Sequence, residues 1–357
     1  RFRMIPPILS FAGPELTAQE RDFFREAQPA GFILFNRNVT GRQQIKRLTT
    51  ELRNIVGRDR PPILIDHGGG RFQMLSRPPT GLHGRLMDGI GRNVNAEFEA
   101  FPPPSAFGAL FARDARAGVR AAHLNARLIA AELFDCGITV NTAPSLDIAG
   151  PDSFAGLGDR AFGGEAGAVI ALARGVMHGY RLEGLAPCLR HIPGLGRART
   201  DNHGGAVVID ASLEALRETD FAPFKELADA PFALAAHAAY TAFDADRVAT
   251  VSPDTIRKAI RGHCGFQGAL ISDAIEMAAL TGPLLERALT LVKAGCDAAL
   301  YCSGQLAEMQ AIATGLPRMT PESAARFQAA ELWGALTPMA GDRKAFRAER
   351  DRLLALN

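Results

Sequence analysis

Apolar and polar residues follow two patterns that alternate along the chain. Short apolar runs bounded by Pro or Gly recur eight times, at 6–13, 31–37, 61–67, 137–147, 186–192, 232–238, 268–274 and 297–303. The segments between them, such as RQQIKRLTTELRNIV and AGAVIALARGVMHGYRLEG, carry apolar residues at helical spacing, and several end at a Gly. Eight strands separated by helices predict a (β/α)8 TIM-type barrel of the α/β class. A doubly wound sheet is the alternative, but no G-x-G-x-x-G follows the first strand.

The same pattern predicts how the chain divides. We expect residues 1–310 to form the barrel, because such barrels usually need about 250 residues or more in one domain. Residues 311–357 have helical spacing and many charged positions, so we expect a helical extension packed on the barrel or on a partner. The connection at 76–106 is rich in Gly and Pro and long for a loop, which is typical of a functional lid or a disordered segment.

Composition narrows the class of protein and of partner. The chain has 357 residues, 47% hydrophobic and 22% charged, as expected of a globular protein with a large core. A net charge of +2 gives no basic footprint, so we expect no nucleic-acid and no membrane partner. The five cysteines form no C-x-x-C pair, which favours reduced thiols in a cytosolic compartment. The opening RFRMIPPILSFAG is broken by Pro6 and Pro7, so we interpret it as a first strand and not as a signal peptide.

Charged and polar side chains occur where the predicted strands end. They are Asp66, Asp147, Arg190, His191, His237 and Asp273. In a barrel these ends form one face, where catalytic residues come from several strands. The loop LRHIPGLGRARTDNHGG at 189–205 follows the fifth strand and brings Asp201 and His203 over that face.

Each of these residues also has an ordinary structural explanation. Asp273 could be the N-cap of the next helix, and Asp66 could start a turn into the glycines that follow. His203 could be a solvated loop residue beside Asp201, and Arg190 could form a buried ion pair. Their occurrence together on one face favours a catalytic site.

Four motifs in a consistent order resemble those of the family 3 glycoside hydrolases: IDHGGGRFQ, GLGDRAFGG, RHIPGLGRARTDNH and ISDAIEM. The resemblance runs from about residue 8 to about residue 310. Within the family the chain is most similar to the single-domain bacterial β-N-acetylglucosaminidases, or β-hexosaminidases, of cell-wall recycling. The resemblance implies a retaining exo-acting cytoplasmic enzyme that releases terminal GlcNAc from muropeptides. It further implies a carbohydrate as the only partner, no cofactor, no metal, and a monomer or weak homodimer.

The resemblance also implies roles for individual residues. Asp273 matches the nucleophile, and His203, oriented by Asp201, matches the general acid/base. The matched or neighbouring positions assigned to substrate binding are Asp66, Arg71, Met74, Arg160, Arg190, His191 and His237. A carboxylate can accept hydrogen bonds from two vicinal hydroxyls, and an Arg can donate a fork of them.

Several positions depart from the family pattern. Gly68 replaces an acid, Met74 a basic residue, Arg190 a Lys, Leu195 a His, Asn202 a Ser and Ala274 an Asp. These changes suggest altered specificity or weakened activity, because Arg and Lys, for example, are not interchangeable at a tight site.

Three alternatives therefore stay open. One is a catalytically silent sugar-binding relative, and another is a family 3 glycosidase acting on a different β-glycoside. The third is a metal-dependent barrel hydrolase using Asp66, His191, His203, His237 and Asp273, although these histidines are scattered along the chain.

Overall fold

The computed structural model of the chain describes residues 4–75, 97–200, 205–334 and 337–355. Eight parallel strands close a barrel in the order β1-β8-β7-β6-β5-β4-β3-β2. They are β1 Ile5–Leu9, β2 Pro29–Leu34, β3 Ile63–Ile65, β4 Val140–Asn141, β5 Ala186–Ile192, β6 Phe232–Ala235, β7 Ala269–Ala274 and β8 Ala298–Tyr301. Each lies in or overlaps one of the eight apolar runs, so the predicted TIM-type barrel is confirmed.

Helices pack outside the barrel. In the described part they are α1 Ala18–Ala27, α2 Arg42–Val56, α3 Pro104–Arg113, α4 Ala115–Asp135, α5 Ala166–Leu182, α6 Leu213–Glu218, α7 Ala222–Glu226, α8 Leu284–Ala294, α9 Leu306–Gly315, α10 Pro321–Glu331 and α11 Arg343–Leu354. A π-helix spans Thr255–His263, and single 3₁₀ turns span Asn36–Asn38, Gly158–Arg160 and Ala249–Val251. Outside the barrel, His67–Gly69 pairs with Phe72–Gln73, and Ala238–Tyr240 lies between Val207–Ile209 and Asp244–Val248.

Local sequence explains where these elements begin and end. Thr17 and Glu20 form a reciprocal capping box at the start of α1, which satisfies two backbone N–H groups. In α2 the buried residues Ile45, Leu48 and Leu52 lie on one face, as the helical spacing requires. Gly57 ends α2 with a φ of +62°, a conformation that glycine adopts without steric penalty.

The C-terminal helix α11 packs along α4. Arg350, which is 3% exposed, donates to the Asn125 side chain at 3.0 Å, and its guanidinium lies 3.1 Å from the Glu99 carboxylate. Arg120 on α4 pairs with Glu349 at 2.8 Å. The division of the chain at residue 310 stays a prediction.

The connection expected at 76–106 is described from residue 97 onwards. Phe98 and Phe101 are buried, and the Gln73 side chain accepts from the Phe101 backbone N–H at 2.7 Å. Residues 76–96 lie outside the described residues. Helix α3 starts at Pro104, so the end of this connection contributes to the core.

Two further features are the state of the cysteines and the length and apolarity of the helices. All five cysteines are free thiols, and four of them are buried. Among the residues that the structure describes, no helix combines the length and apolarity needed to cross a bilayer.

Candidate active site

A cavity of about 460 Å³ opens at the carboxyl ends of the barrel strands. Its volume lies in the usual range for a site that holds a small molecule. Six residues from the sequence prediction line it: Asp66, Met74, Arg160, Arg190, His191 and Asp273. Residues from β5 and β7 and from the loops after β3 and β4 thus meet in one place, as expected of a barrel enzyme.

Asp66 lies at the centre of a buried cluster of charges. Arg190 donates to its two carboxylate oxygens at 2.7 and 2.8 Å, and Arg160 lies 3.5 Å from it. The Arg160 guanidinium also stacks on the Phe72 ring, 4.0 Å from the centroid. Burial, with the charge of Arg190 adding to it, lowers the pKa of Arg160 to about 10. The buried ion pair considered for Arg190 is therefore present, and it forms part of the cavity wall.

His191 is oriented by Asp147, which is fully buried. The ring Nδ1–H donates to Asp147 Oδ2 at 2.7 Å, and Asp147 Oδ1 accepts from the Leu195 backbone N–H at 2.7 Å. Burial alone would raise the pKa of Asp147, but His191 and these hydrogen bonds lower it to about 2. Because Nδ1 is taken, Nε2 of His191 is the ring atom left for a ligand in the cavity.

Asp273 is the penultimate residue of β7, and its Oδ1 accepts from the Ala274 backbone N–H at 2.8 Å. His237 lies behind it and has no exposed surface. His237 Nε2 donates to the Ala274 carbonyl at 3.0 Å, and Nδ1 lies 2.8 Å from the Thr250 hydroxyl. This arrangement favours a role in positioning the chain beside Asp273 over the direct substrate contact expected for His237.

Two predicted binding residues of the GGGRFQM segment have different environments in the structure. Met74 is 4% exposed and lines the cavity, and its backbone N–H donates to the Asp66 carbonyl at 3.2 Å. Arg71 is half-exposed, does not line the cavity, and pairs with Asp159 at 3.0 Å. Gly68 lies beside Ala143, the one described residue within 4 Å of the position of a Cβ.

Asp201 and His203 lie outside the described residues. The chain that leads to them is fixed at three points: Leu195 to Asp147, Gly196 to Ser153 and Ala198 to Phe154. Ser153 and Phe154 belong to the loop that also carries Arg160. The base of the loop bearing Asp201 and His203 is therefore attached to the cavity wall.

Two charged cavity residues were missed in the sequence. Arg37 lies three residues after the end of β2, at the end of the apolar run GFILFNR, so its position near a strand end was a usable signal. Glu276 Oε1 accepts from the backbone N–H groups of Cys302 and Ser303 at 2.6 and 2.7 Å, and burial raises the pKa of Glu276. Nothing in the local sequence signals the approach of Glu276 to Cys302, because 26 residues separate them.

The described residues contain no group of three or more His, Cys, Asp and Glu side chains placed to hold a metal ion. Among the residues of the metal hypothesis, Asp66 is held by Arg190, His191 by Asp147, and His237 faces Thr250 and Ala274. His203 lies outside the described part of the chain.

Comparisons with known proteins agree on one family. The sequence profile of the glycosyl hydrolase family 3 N terminal domain matches residues 9–330. A β-hexosaminidase of Alkalilimnicola ehrlichii is 34% identical over 324 residues, which cover 89% of this chain and 86% of the relative. Native NagZ from Neisseria gonorrhoeae superposes with a TM-score of 0.83 at 27% identity, covering 99% of this chain and 98% of the other. The same NagZ in complex with N-trifluoroacetyl-D-glucosamine gives 0.82 at 27% identity, covering 99% of each chain.

Proposed function

This chain belongs to glycosyl hydrolase family 3 and is a glycoside hydrolase of the β-N-acetylhexosaminidase type, and on that premise we propose that it releases terminal GlcNAc from peptidoglycan-derived muropeptides with retention of configuration. The observation that carries the proposal is the cavity in which Asp273 faces the Asp66, Arg160 and Arg190 cluster. In this proposal the enzyme works in the cytoplasm, in the recycling of cell-wall fragments.

Asp273 is the nucleophile of the proposed reaction. Its carboxylate attacks the anomeric carbon while the bond to the leaving oxygen breaks, and a glycosyl-enzyme ester forms. Water then attacks the same carbon and displaces Asp273. Two inversions give net retention. The Ala274 N–H bond to Oδ1 supports this assignment, because it holds one carboxylate oxygen and restricts the orientation of the other.

His203 is the proposed general acid/base. It gives a proton to the leaving oxygen in the first step and takes one from water in the second. Asp201, two residues earlier, orients the imidazole and supports its positive charge. The assignment rests on the motif that follows β5.

The terminal sugar is bound by the charged wall. Arg160 and Arg190 both pair with the Asp66 carboxylate, which holds their guanidinium groups on the cavity wall, and in this proposal their N–H groups donate to hydroxyls of the sugar. His191 Nε2 adds a further polar contact. Directional contacts of this kind favour a polyhydroxylated ring over a flat apolar ligand.

Two measurements test this function. Hydrolysis of an aryl β-N-acetylglucosaminide should greatly exceed that of the matched aryl β-glucoside, and NMR of the first-formed sugar should show the β anomer. Cleavage of the glucoside alone would favour a family 3 glycosidase of different specificity. The α anomer as first product would contradict the retaining mechanism.

Replacing His203 by Ala should separate substrates by their leaving groups. Loss of a general acid costs about a hundredfold or more where the leaving oxygen needs a proton, and much less for an activated aryl glycoside. Steady-state kcat/KM on a disaccharide and on a nitrophenyl glycoside measures the difference, with the exposed His178→Ala variant as control. An equal loss on both substrates would indicate a binding or structural role.

Met74 is the departure from the family pattern that affects binding most directly. A thioether is a weak acceptor and donates nothing, so it cannot replace a basic side chain that donates to the sugar. We expect Met74→Arg to raise kcat/KM on aryl β-N-acetylglucosaminides about ten- to a hundredfold, the effect of one charge-assisted hydrogen bond.

The control for that variant is Met277→Arg, which puts the same charge on the wall beside Asp273. The gain should be specific to position 74. If the wild-type rate already equals that of related β-hexosaminidases and Met74→Arg lowers it, Met74 itself contacts the substrate in place of the family's basic residue.

A catalytically silent sugar-binding protein is the second candidate function. The observation that favours it is the bidentate Arg190–Asp66 pair, which uses both carboxylate oxygens that a sugar hydroxyl would otherwise approach. Measurable binding of a muropeptide without turnover would support this candidate.

A further inference from the structure

Arg37 differs from the other two arginines of the cavity. Arg160 and Arg190 both lie against the Asp66 carboxylate. Every hydrogen bond that Arg37 makes within the described residues goes to a neutral oxygen, and it forms no ion pair there. Within the described residues, Arg37 is therefore a cavity cation that no carboxylate contacts.

The Arg37 guanidinium is fixed in position. Its Nε donates to the Phe11 carbonyl at 2.9 Å, and Nη2 donates to the Ser10 hydroxyl at 2.5 Å and to the Cys302 carbonyl. It stacks on the Phe35 ring, 4.8 Å from the centroid. Nη1 has no partner within the described part of the chain, so a preorganised group keeps two N–H donors for a ligand.

The Glu276 carboxylate, which does not contact Arg37, balances the charge of Arg37 only in part. Burial lowers the pKa of Arg37, although the Glu276 carboxylate acts in the opposite direction. Glu276 Oε1 is held by the Cys302 and Ser303 backbone N–H groups, and Glu276 makes no ion pair with Arg37. A half-buried arginine in this state favours an anion, and a carboxylate matches its planar donors.

We propose that Arg37 binds a carboxylate carried by the group to which the terminal sugar is attached. The inference rests on the proposed function, because it takes the wall formed by Asp66, Arg160 and Arg190 as the site of the terminal sugar. Arg37 is anchored instead to the ends of β1 and β8, and Ser303 and Gln305 lie at the exposed rim beside it. Among the muropeptide-derived substrates of the proposed function, those with a free carboxylate at this group are then preferred to those that keep the peptide amide there. The reaction that supplies the preferred substrate is an amide hydrolysis that frees this acid.

The test compares N-acetylmuramic acid with its methyl amide, which differ at the carboxyl group. Calorimetry on the full-length wild-type protein should give about tenfold tighter binding of the acid, as expected for one charge-assisted hydrogen bond. In Arg37→Met the two ligands should bind within about twofold of each other. The control Arg47→Met, on the exposed surface of α2, should keep the wild-type preference.

A second variant keeps the proposal testable if Arg37→Met does not fold. Gln305→Glu adds a negative charge at the rim without touching the anchors of Arg37, and it should reduce the preference for the acid. Equal binding of both ligands by the wild type would overturn the proposal, and so would a preference unchanged in folded Arg37→Met or in Gln305→Glu. Turnover of an aryl N-acetylglucosaminide is measured separately. Turnover without acid preference overturns this inference alone, and acid preference without turnover overturns only the proposed hydrolase function.

Discussion

Asp273→Ala should abolish turnover of β-N-acetylglucosaminides while leaving the fold intact. The carboxylate lies near the carboxyl end of β7 and lines the cavity, so it contributes to the chemistry and little to the core. Without a nucleophile no glycosyl-enzyme forms, and we expect a loss of at least about a thousandfold in kcat. The measurement is steady-state hydrolysis of an aryl glycoside, with circular dichroism to check folding.

Added azide makes this test specific for a nucleophile. A small anion can enter the space left by the carboxylate and attack an activated β-glycoside from the same face, which gives an α-glycosyl azide. The control Asp246→Ala removes an exposed carboxylate and should leave the rate unchanged. Near-wild-type hydrolysis by Asp273→Ala, or rescue that yields the β-azide, would contradict the assignment.

The barrel could be predicted from sequence because its determinants are local. Each strand is a short buried run and most helices show amphipathic spacing, so eight repeats of the two patterns leave few topologies. Strand ends could be assigned for the same reason. The rule that polar residues at these ends meet on one face placed Asp66, Arg190 and Asp273 together.

Pairings inside the site could not be predicted, because they depend on tertiary distances. Asp147 lies in the loop after β4 and His191 lies within β5, and the sequence placed both near strand ends. Only the structure shows Asp147 holding His191 across 44 residues. His237 illustrates the same limit. It follows β6 as predicted, yet its ring faces Thr250 and Ala274, and a shift of one residue in a strand decides which side a side chain faces.

Arg71 shows why a matched motif position can differ in environment. The sequence places it three residues before Met74, and either could face the sugar. The hairpin of His67–Gly69 with Phe72–Gln73 turns Arg71 outward to Asp159 and leaves Met74 on the cavity wall. The chain thus has a thioether at the inner position and its guanidinium at the outer one.

Replacing Asp66 by Asn should be the most destabilising single change in the site. The carboxylate is the partner that Arg190 and Arg160 share, at 2.7 and 3.5 Å, and both guanidinium groups are largely buried. Removing one partner of a buried pair leaves an uncompensated charge and costs about 3 to 5 kcal/mol. Here two cations lose the same partner, so chemical denaturation should show a loss in free energy of unfolding in that range or above.

The matched control for this variant is Asp159→Asn, which removes the carboxylate of the more exposed Arg71 pair. Exposed pairs contribute about 0 to 1 kcal/mol, so this control should unfold close to the wild-type midpoint. Arg190→Met in the Asp66→Asn background should restore part of the lost stability, because it removes one of the two unpaired charges. If Asp66→Asn and Asp159→Asn lose the same free energy, water or the Asp273 carboxylate already compensates the arginines, and the cluster is less dependent on Asp66 than its geometry indicates.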